Sequence, residues 1–245
     1  MTRYVDSFDT LDLKKWFVLT GRGYLNRYYV EKSKLHFHTC YGRTLGDGSI
    51  AFRTAMPLSI INNKFSVEVE VDPYSFGRVY LMYSPDAAKI GMLPWTVVNS
   101  DCLAFGISNC WGNCPTYCLI MRIRDGGVQF YHSVPLEPWK TKVKLAFENK
   151  NGVSRFFADD TVVSEFATEF KVAYIYLAVE TSFDMSGANR HIIGSFDNFT
   201  IEDYELAQTA PELASMLPTL VSVSQATLTL LIPITLISLV RGMFE

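Results

Sequence analysis

Short runs in which apolar and polar residues alternate recur along most of this chain, and they constrain the fold more than any other feature. Residues 65–71 read FSVEVEV, the pattern of a strand with one buried face. Similar runs occur at residues 79–83, 117–123, 128–132, 143–147, 174–179 and 193–201. Gly, Pro, Asn and Asp separate them, as in sandwiches and barrels. The pattern predicts an all-β fold, an antiparallel two-sheet jelly-roll sandwich.

The composition is that of a folded domain, and it argues against a disordered chain and against a nucleic-acid-binding protein. Residues 1–205 are long enough to bury the core of one β-sandwich domain. The low charged fraction of 19% and the aromatic fraction of 14% argue against disorder. The net charge of -3, with no cluster of Lys and Arg, argues against a nucleic-acid partner, because phosphate binding needs concentrated positive charge.

The C-terminal part of the chain has a different character. Residues 213–240 contain no charged side chain, and this run exceeds the roughly 20 residues that a membrane-spanning helix needs. Residues 206–214 are therefore expected to form a linker, and residues 215–241 a hydrophobic anchor helix that crosses a membrane. Pro218 suits the first turn of such a helix.

Small residues recur along one side of this predicted helix, at intervals of four and three positions. Such a seam lets membrane helices pack closely. The alternatives are a simple tail anchor, a self-associating helix, or a helix buried in a protein assembly, so the expected partners are membrane lipid or other anchor helices, in a homo-oligomer. The seam consists of Ser215, Thr219, Ser222, Ala226 and Thr229.

Three segments of the globular part resemble a known family in their order and spacing. Residues 6–16 (DSFDTLDLKKW) are similar to the opening of concanavalin A-like lectin/glucanase domains. Trp139, the following strand and residues 155–160 resemble the family's Trp, strand and hairpin succession, and residues 196–201 resemble its closing strand. The resemblance implies a jelly roll of two curved sheets whose concave face often holds sugar. Together with the anchor helix predicted at residues 215–241, the chain is expected to consist of such a domain followed by a hydrophobic anchor.

A glycoside hydrolase needs two carboxylates close together. Family-16 members of this fold place them on one strand as Glu-x-Asp-x-Glu, and the comparable run here contains Glu68 and Glu70. Residues two apart on a strand share one face, so these two could form a pair. The order of acids differs from the family pattern, however, and the run lies on an earlier strand. We therefore expect no catalytic residues and no enzyme, with Glu68 and Glu70 as the lesser alternative.

The cysteines leave several interpretations open. Cys102, Cys110, Cys114 and Cys118 are candidates for one or two disulfides in a loop, which would imply oxidising surroundings or the interior of a hyperthermophile. Buried free thiols are the alternative, and the spacing is longer than that of usual zinc sites. We expect no metal and no cofactor.

Aromatic side chains could stack on sugar rings. Trp111, Trp95 and Tyr80 are the candidate ligand-binding residues, and packing in the core is the alternative for them, because most aromatic side chains of a sandwich lie there.

Three functions remain open. The first is a non-enzymatic, membrane-anchored structural protein in many copies, on a virion or cell surface, with a lectin-like head for attachment to a host glycan. The absence of an apolar signal segment at the N-terminus suits a virion protein made in the host cytoplasm. The second is a membrane-tethered lectin or adhesin, and the third is a divergent glycoside hydrolase.

Overall fold

A computed structural model of the chain describes residues 2–20, 26–41, 48–85, 102–109, 117–124, 127–135, 140–167, 170–181 and 190–203. Every regular element within these ranges is a β-strand. In chain order they are β1 (Thr2–Asp6), β2 (Trp16–Thr20), β3 (Arg27–Glu31), β4 (Lys34–Tyr41), β5 (Ser49–Thr54), β6 (Leu58–Ser59), β7 (Asn63–Val71), β8 (Gly77–Ser84), β9 (Cys102–Asn109), β10 (Tyr117–Arg124), β11 (Gly127–Pro135), β12 (Lys142–Lys150), β13 (Val153–Ala158), β14 (Thr161–Ala167), β15 (Val172–Glu180) and β16 (Arg190–Asp203).

The strands form two antiparallel sheets of eight. Sheet I has the order β14-β13-β12-β7-β16-β4-β3, and β1 pairs with β16. Sheet II has the order β11-β10-β9-β8-β15-β5-β2, and β6 pairs with β15. All seven predicted strand runs lie inside observed strands, so the two-sheet sandwich predicted from the alternation is confirmed.

The core lies between the inner faces of the two sheets. On β7 the apolar residues Phe65, Val67 and Val69 are fully buried, whereas the glutamates between them point outward. Sheet II contributes the alternate residues of its own strands, such as Leu81 and Phe105. Burial of apolar area from both layers stabilises the sandwich.

Three hairpins show why the strands turn where they do. The residues Asp159 and Asp160, between β13 and β14, have φ of 47° and 64°. Two consecutive residues with positive φ make the turn whose twist matches paired strands. Lys32–Ser33 and Asn151–Gly152 turn in the same way. The predicted hairpin at 158–161 is therefore confirmed.

The first and last segments of the family resemblance meet in space. Strand β1 pairs with β16, and the Trp16 ring packs edge-on against Phe199 at a centroid distance of 5.0 Å. Asp6 accepts a hydrogen bond from the Trp16 indole at 3.0 Å. The acidic-aromatic segment at the start of the chain therefore closes the sandwich against its last strand.

The predicted linker and anchor helix, residues 206–241, lie outside the described residues. Among those that the structure describes, no helix has the length and hydropathy needed to cross a membrane. The anchor therefore stays a prediction from sequence.

Candidate functional site: the outer face of sheet II

Each sheet has one face that points away from the core, and the side chains of that face can meet a ligand. The outer face of sheet I carries several charged pairs. Lys142 contacts Glu68 at 2.6 Å, and Lys34 contacts Glu70 at 2.7 Å. Lys144 and Asp160 form a further pair at 3.2 Å.

These contacts determine what Glu68 and Glu70 can do chemically. The hydrogen bond from Lys142 lowers the pKa of Glu68, and the one from Lys34 lowers the pKa of Glu70, with burial opposing both shifts. A general acid has to carry a proton near the working pH, whereas these lysines favour the ionised carboxylates. The arrangement is that of an ion-paired strand face.

The pKa shifts of these two glutamates predict a pH dependence of stability. Their folded-state pKa values lie below the ordinary 4.5, so their stabilising contribution is fully present above pH 4.5 and is lost as the pH falls through the folded values. Urea unfolding at pH 6 and pH 3 should show that the double variant Glu68→Gln/Glu70→Gln loses less stability on acidification than the wild type. Because these ion pairs are partly exposed, 1 M NaCl should reduce the difference between the wild type and the double variant in the stability lost on acidification. An equal loss in both proteins would contradict the assignment.

The outer face of sheet II differs, because the charged side chains described on it lie beside aromatic rings. Arg78 on β8 pairs with Glu180 on β15 at 3.1 Å, and the Tyr80 hydroxyl lies 3.4 Å from the same carboxylate. Glu180 is the only acidic residue on the described strands of this sheet. We call these three residues the Arg78–Glu180 cluster.

A second group on this face is more accessible. The Arg53 guanidinium lies 4.8 Å from the ring centroid of Phe17 and 4.9 Å from that of Tyr174. Phe17 and Arg53 are cross-strand partners on β2 and β5. Phe17 is 51% exposed, and Arg53 and Tyr174 are half-buried. We call these residues the Phe17–Arg53–Tyr174 ladder.

Tyr80 does not offer a sugar-stacking surface, which corrects its sequence-based assignment. Its side chain is fully buried, in a cluster with Met82 and Tyr176 on the outer face of sheet II. A Cβ at Gly106 would lie 2.7 Å from the Tyr80 ring, so the ring packs directly over this glycine. Tyr80 is a packing residue whose hydroxyl reaches Glu180.

The other ligand-binding candidates, Trp95 and Trp111, lie outside the described residues. So do the seam residues Ser215, Thr219, Ser222, Ala226 and Thr229.

The cysteine interpretation needs one correction. Cys102 is buried in the cluster around Tyr80 and forms no disulfide, so it is not the disulfide partner that the sequence predicted. Cys110 and Cys114 lie outside the described residues, and Cys118 lies on β10. Within the described ranges there is no disulfide, and no group of three His, Cys, Asp or Glu residues is placed to hold a metal.

Sequence reasoning missed the ladder and the Arg78–Glu180 cluster for one reason. Strand periodicity alone puts Phe17 on the face opposite Trp16, so an outward aromatic could have been found. The partners come from strands far apart in the chain, and only strand pairing brings Arg53 beside Tyr174, or Arg78 beside Glu180.

Several solved structures of glycoside hydrolases have a similar fold. A lichenase from a mouse hindgut metagenome superimposes with a TM-score of 0.59 at 12% identity, over 83% of this chain and 99% of that chain. The chain has the concanavalin A-like jelly-roll fold. The Bacillus licheniformis β-glucanase (TM-score 0.58, 9% identity, 82% and 98% covered) and the laminarinase of Flavobacterium sp. UMI-01 (0.59, 13%, 82% and 99%) are similar to it as well. No family model and no curated protein matches the sequence.

This comparison contradicts one prediction made from the sequence, that the chain is not an enzyme. The matched folds belong to glucanases, a lichenase and a laminarinase. The missing Glu-x-Asp-x-Glu run was therefore too weak a reason to exclude catalysis.

Proposed function

We propose that this concanavalin A-like domain acts on glycans and binds a glucan-type polysaccharide on the outer face of sheet II. The observation that carries the proposal is the partly exposed Phe17–Arg53–Tyr174 ladder, in which a cation lies beside two aromatic rings. The glucanase names of the structural neighbours support the class of ligand.

The ladder has the chemistry that a sugar ring needs. Aromatic rings offer an apolar surface on which the C–H face of a sugar can stack, and a guanidinium donates charge-assisted hydrogen bonds to oxygen atoms. The outer face of sheet I carries an exposed Tyr29 ring stacked on His36, but its glutamates already accept bonds from lysine. Among the described residues, no guanidinium of that face lies beside two rings as Arg53 does. Of the two outer faces, sheet II therefore fits a neutral polysaccharide better.

The first test is binding of laminarin and lichenan in affinity gel electrophoresis. Phe17→Ala and Tyr174→Ala should each weaken binding by about tenfold, because each removes one stacking surface worth roughly 1 kcal/mol together with the apolar area that it buries. Tyr74→Ala is the matched control, since Tyr74 is 81% exposed and lies in the turn before β8. Equal retention of both glucans by all three variants and the wild type would refute the site.

Glycoside hydrolysis at the same face is the second candidate. It is favoured by the enzymes that share the fold and by Glu180, the only carboxylate that the described strands of sheet II supply. Arg78 and the Tyr80 hydroxyl orient this carboxylate. Hydrolysis needs a second carboxylate about 5–9.5 Å away, and the described strands of this sheet supply none.

Release of reducing sugar from laminarin and lichenan tests this candidate. Glu180→Gln should abolish release, by at least about 10²-fold, because it removes a reacting carboxylate while keeping the size of the side chain. Glu68→Gln/Glu70→Gln is the control and should keep full activity, since both residues are ion-paired on the other sheet. No release by the wild type would refute hydrolysis of these glucans, and unchanged release by Glu180→Gln would refute Glu180 as a reacting carboxylate.

We further propose that residues 215–241 anchor the domain to a membrane at a virion or cell surface, where it self-associates. The uncharged run 213–240 supports this proposal. The full chain should then stay with the membrane fraction in alkaline carbonate, and release into the supernatant would refute the anchor.

A further inference from the structure

An apolar cavity of about 300 Å³ opens at the edge of the sandwich, apart from both outer faces. Its inner wall is made by Trp16 and Phe199, which belong to the core, and by the half-buried Ile201. Tyr4 and Met56 line it as well, and they are 38% and 71% exposed. Pockets that hold small ligands begin at about this volume.

Two lysines, Lys14 and Lys15, also line this cavity. No described carboxylate forms an ion pair with either of them, whereas Lys34, Lys142 and Lys144 of sheet I each have one. The Lys15 ammonium lies 5.3 Å from the centre of the Tyr4 ring. Contact with the Tyr4 hydroxyl, and more weakly the charges of Asp6 and Asp12, raise the pKa of Lys15, so it stays cationic.

An apolar wall lined by two lysines that have no ion-pair partner among the described residues selects an amphipathic anion. We propose that this cavity binds one long-chain fatty acid, with its acyl chain against Trp16 and Phe199 and its carboxylate beside Lys14 and Lys15. The apolar wall gains stabilisation as the chain covers it, and the ammonium groups donate charge-assisted hydrogen bonds to the carboxylate. This site is separate from the proposed glycan site and does not depend on it.

Photolabelling of the full chain in phosphatidylcholine nanodiscs tests the proposal. The probe is stearic acid carrying a diazirine on its acyl chain, and adducts are mapped to peptides. We expect them on the peptides that contain residues 4–16 and 54–58. Ala55→Phe should reduce labelling at least tenfold, because Ala55 lines the cavity and a ring there would fill it.

A second variant tests the head group. Lys14→Gln/Lys15→Gln should weaken labelling about tenfold, because it removes the charged partners of the carboxylate. Lys171→Gln is the control, since Lys171 does not line the cavity, and it should label like the wild type. Should Ala55→Phe fail to fold, the lysine variant still decides the result.

Three outcomes would overturn the proposal. Equal labelling by the diazirine analogue of stearyl alcohol, which has no carboxylate, would show that the lysines do not select the ligand. Labelling of the cavity only by a diazirine phosphatidylcholine of the disc would assign it to a bilayer lipid. Labelling that appears only after proteolytic removal of residues 204–245 would identify the chain's own apolar segment as the occupant.

Discussion

Replacing Phe147 by alanine is expected to lower the free energy of unfolding by about 3–5 kcal/mol, the usual cost of removing a buried phenylalanine. Phe147 on β12 is fully buried between the sheets. Its ring stacks on Phe65 at 4.8 Å and contacts Tyr83, on the opposite sheet, at 4.6 Å. The variant therefore loses packing within sheet I and between the two layers. Urea unfolding followed by tryptophan fluorescence measures the loss.

Phe157→Ala is the matched control for this experiment. Phe157 lies on the neighbouring strand β13 but is only partly buried, and the Lys64 ammonium sits over its ring at 4.7 Å. Removing it should cost about 1 kcal/mol, because an outward ring leaves no cavity in the core. Similar losses of unfolding free energy in the two variants would contradict the position of Phe147 in the core.

Replacing Asp6 by alanine is expected to cost about 2–4 kcal/mol. The buried Asp6 carboxylate accepts the Trp16 indole N–H and the Phe8 backbone N–H, both at 3.0 Å, and without it two buried donors lose their acceptor. Phe8 also has a φ of 52°, a conformation that costs a bulky residue free energy and needs support from its surroundings. Thermal unfolding followed by circular dichroism measures the effect.

A second variant of Asp6 separates the contribution of its hydrogen bonds from that of its charge. Asp6→Asn keeps one acceptor oxygen and should lose about half as much stability as Asp6→Ala. Asp9→Ala serves as the control, because Asp9 is exposed and its carboxylate accepts bonds from the Ser7 and Ser33 hydroxyls at the surface. A larger loss in Asp9→Ala than in Asp6→Ala would contradict the role of Asp6.

Glucan binding and stability can be measured separately in the variants of the Phe17–Arg53–Tyr174 ladder. Phe17 is 51% exposed and belongs to neither buried cluster, so Phe17→Ala should unfold at nearly the same urea concentration as the wild type. Tyr174 packs against the cluster that contains Tyr80 and Tyr176, so Tyr174→Ala is expected to lose some stability. Loss of glucan binding without loss of stability would then be a property of the ladder itself.

Local pattern was sufficient to predict the strands and the class of fold. The alternation in residues 65–71 places valines on one side and glutamates on the other, whatever the partner strands are. The turn at 158–161 was also predictable, because a short Asp-Asp connection between two strands favours positive φ at both positions. The acidic-aromatic opening at Asp6, Phe8 and Trp16 carried the family resemblance, and these residues do close the sandwich.

Tertiary structure alone decided which outward residues stay accessible and which of them meet. Phe17 and Tyr80 both point away from the core between the sheets, yet Phe17 is exposed and Tyr80 is fully buried, a difference that no strand period can express. Arg78 and Glu180 are 102 positions apart in the chain, and pairing of β8 with β15 makes them neighbours. Strand periodicity is a local property, whereas the composition of a sheet face depends on strand order, which is set by packing of the whole domain.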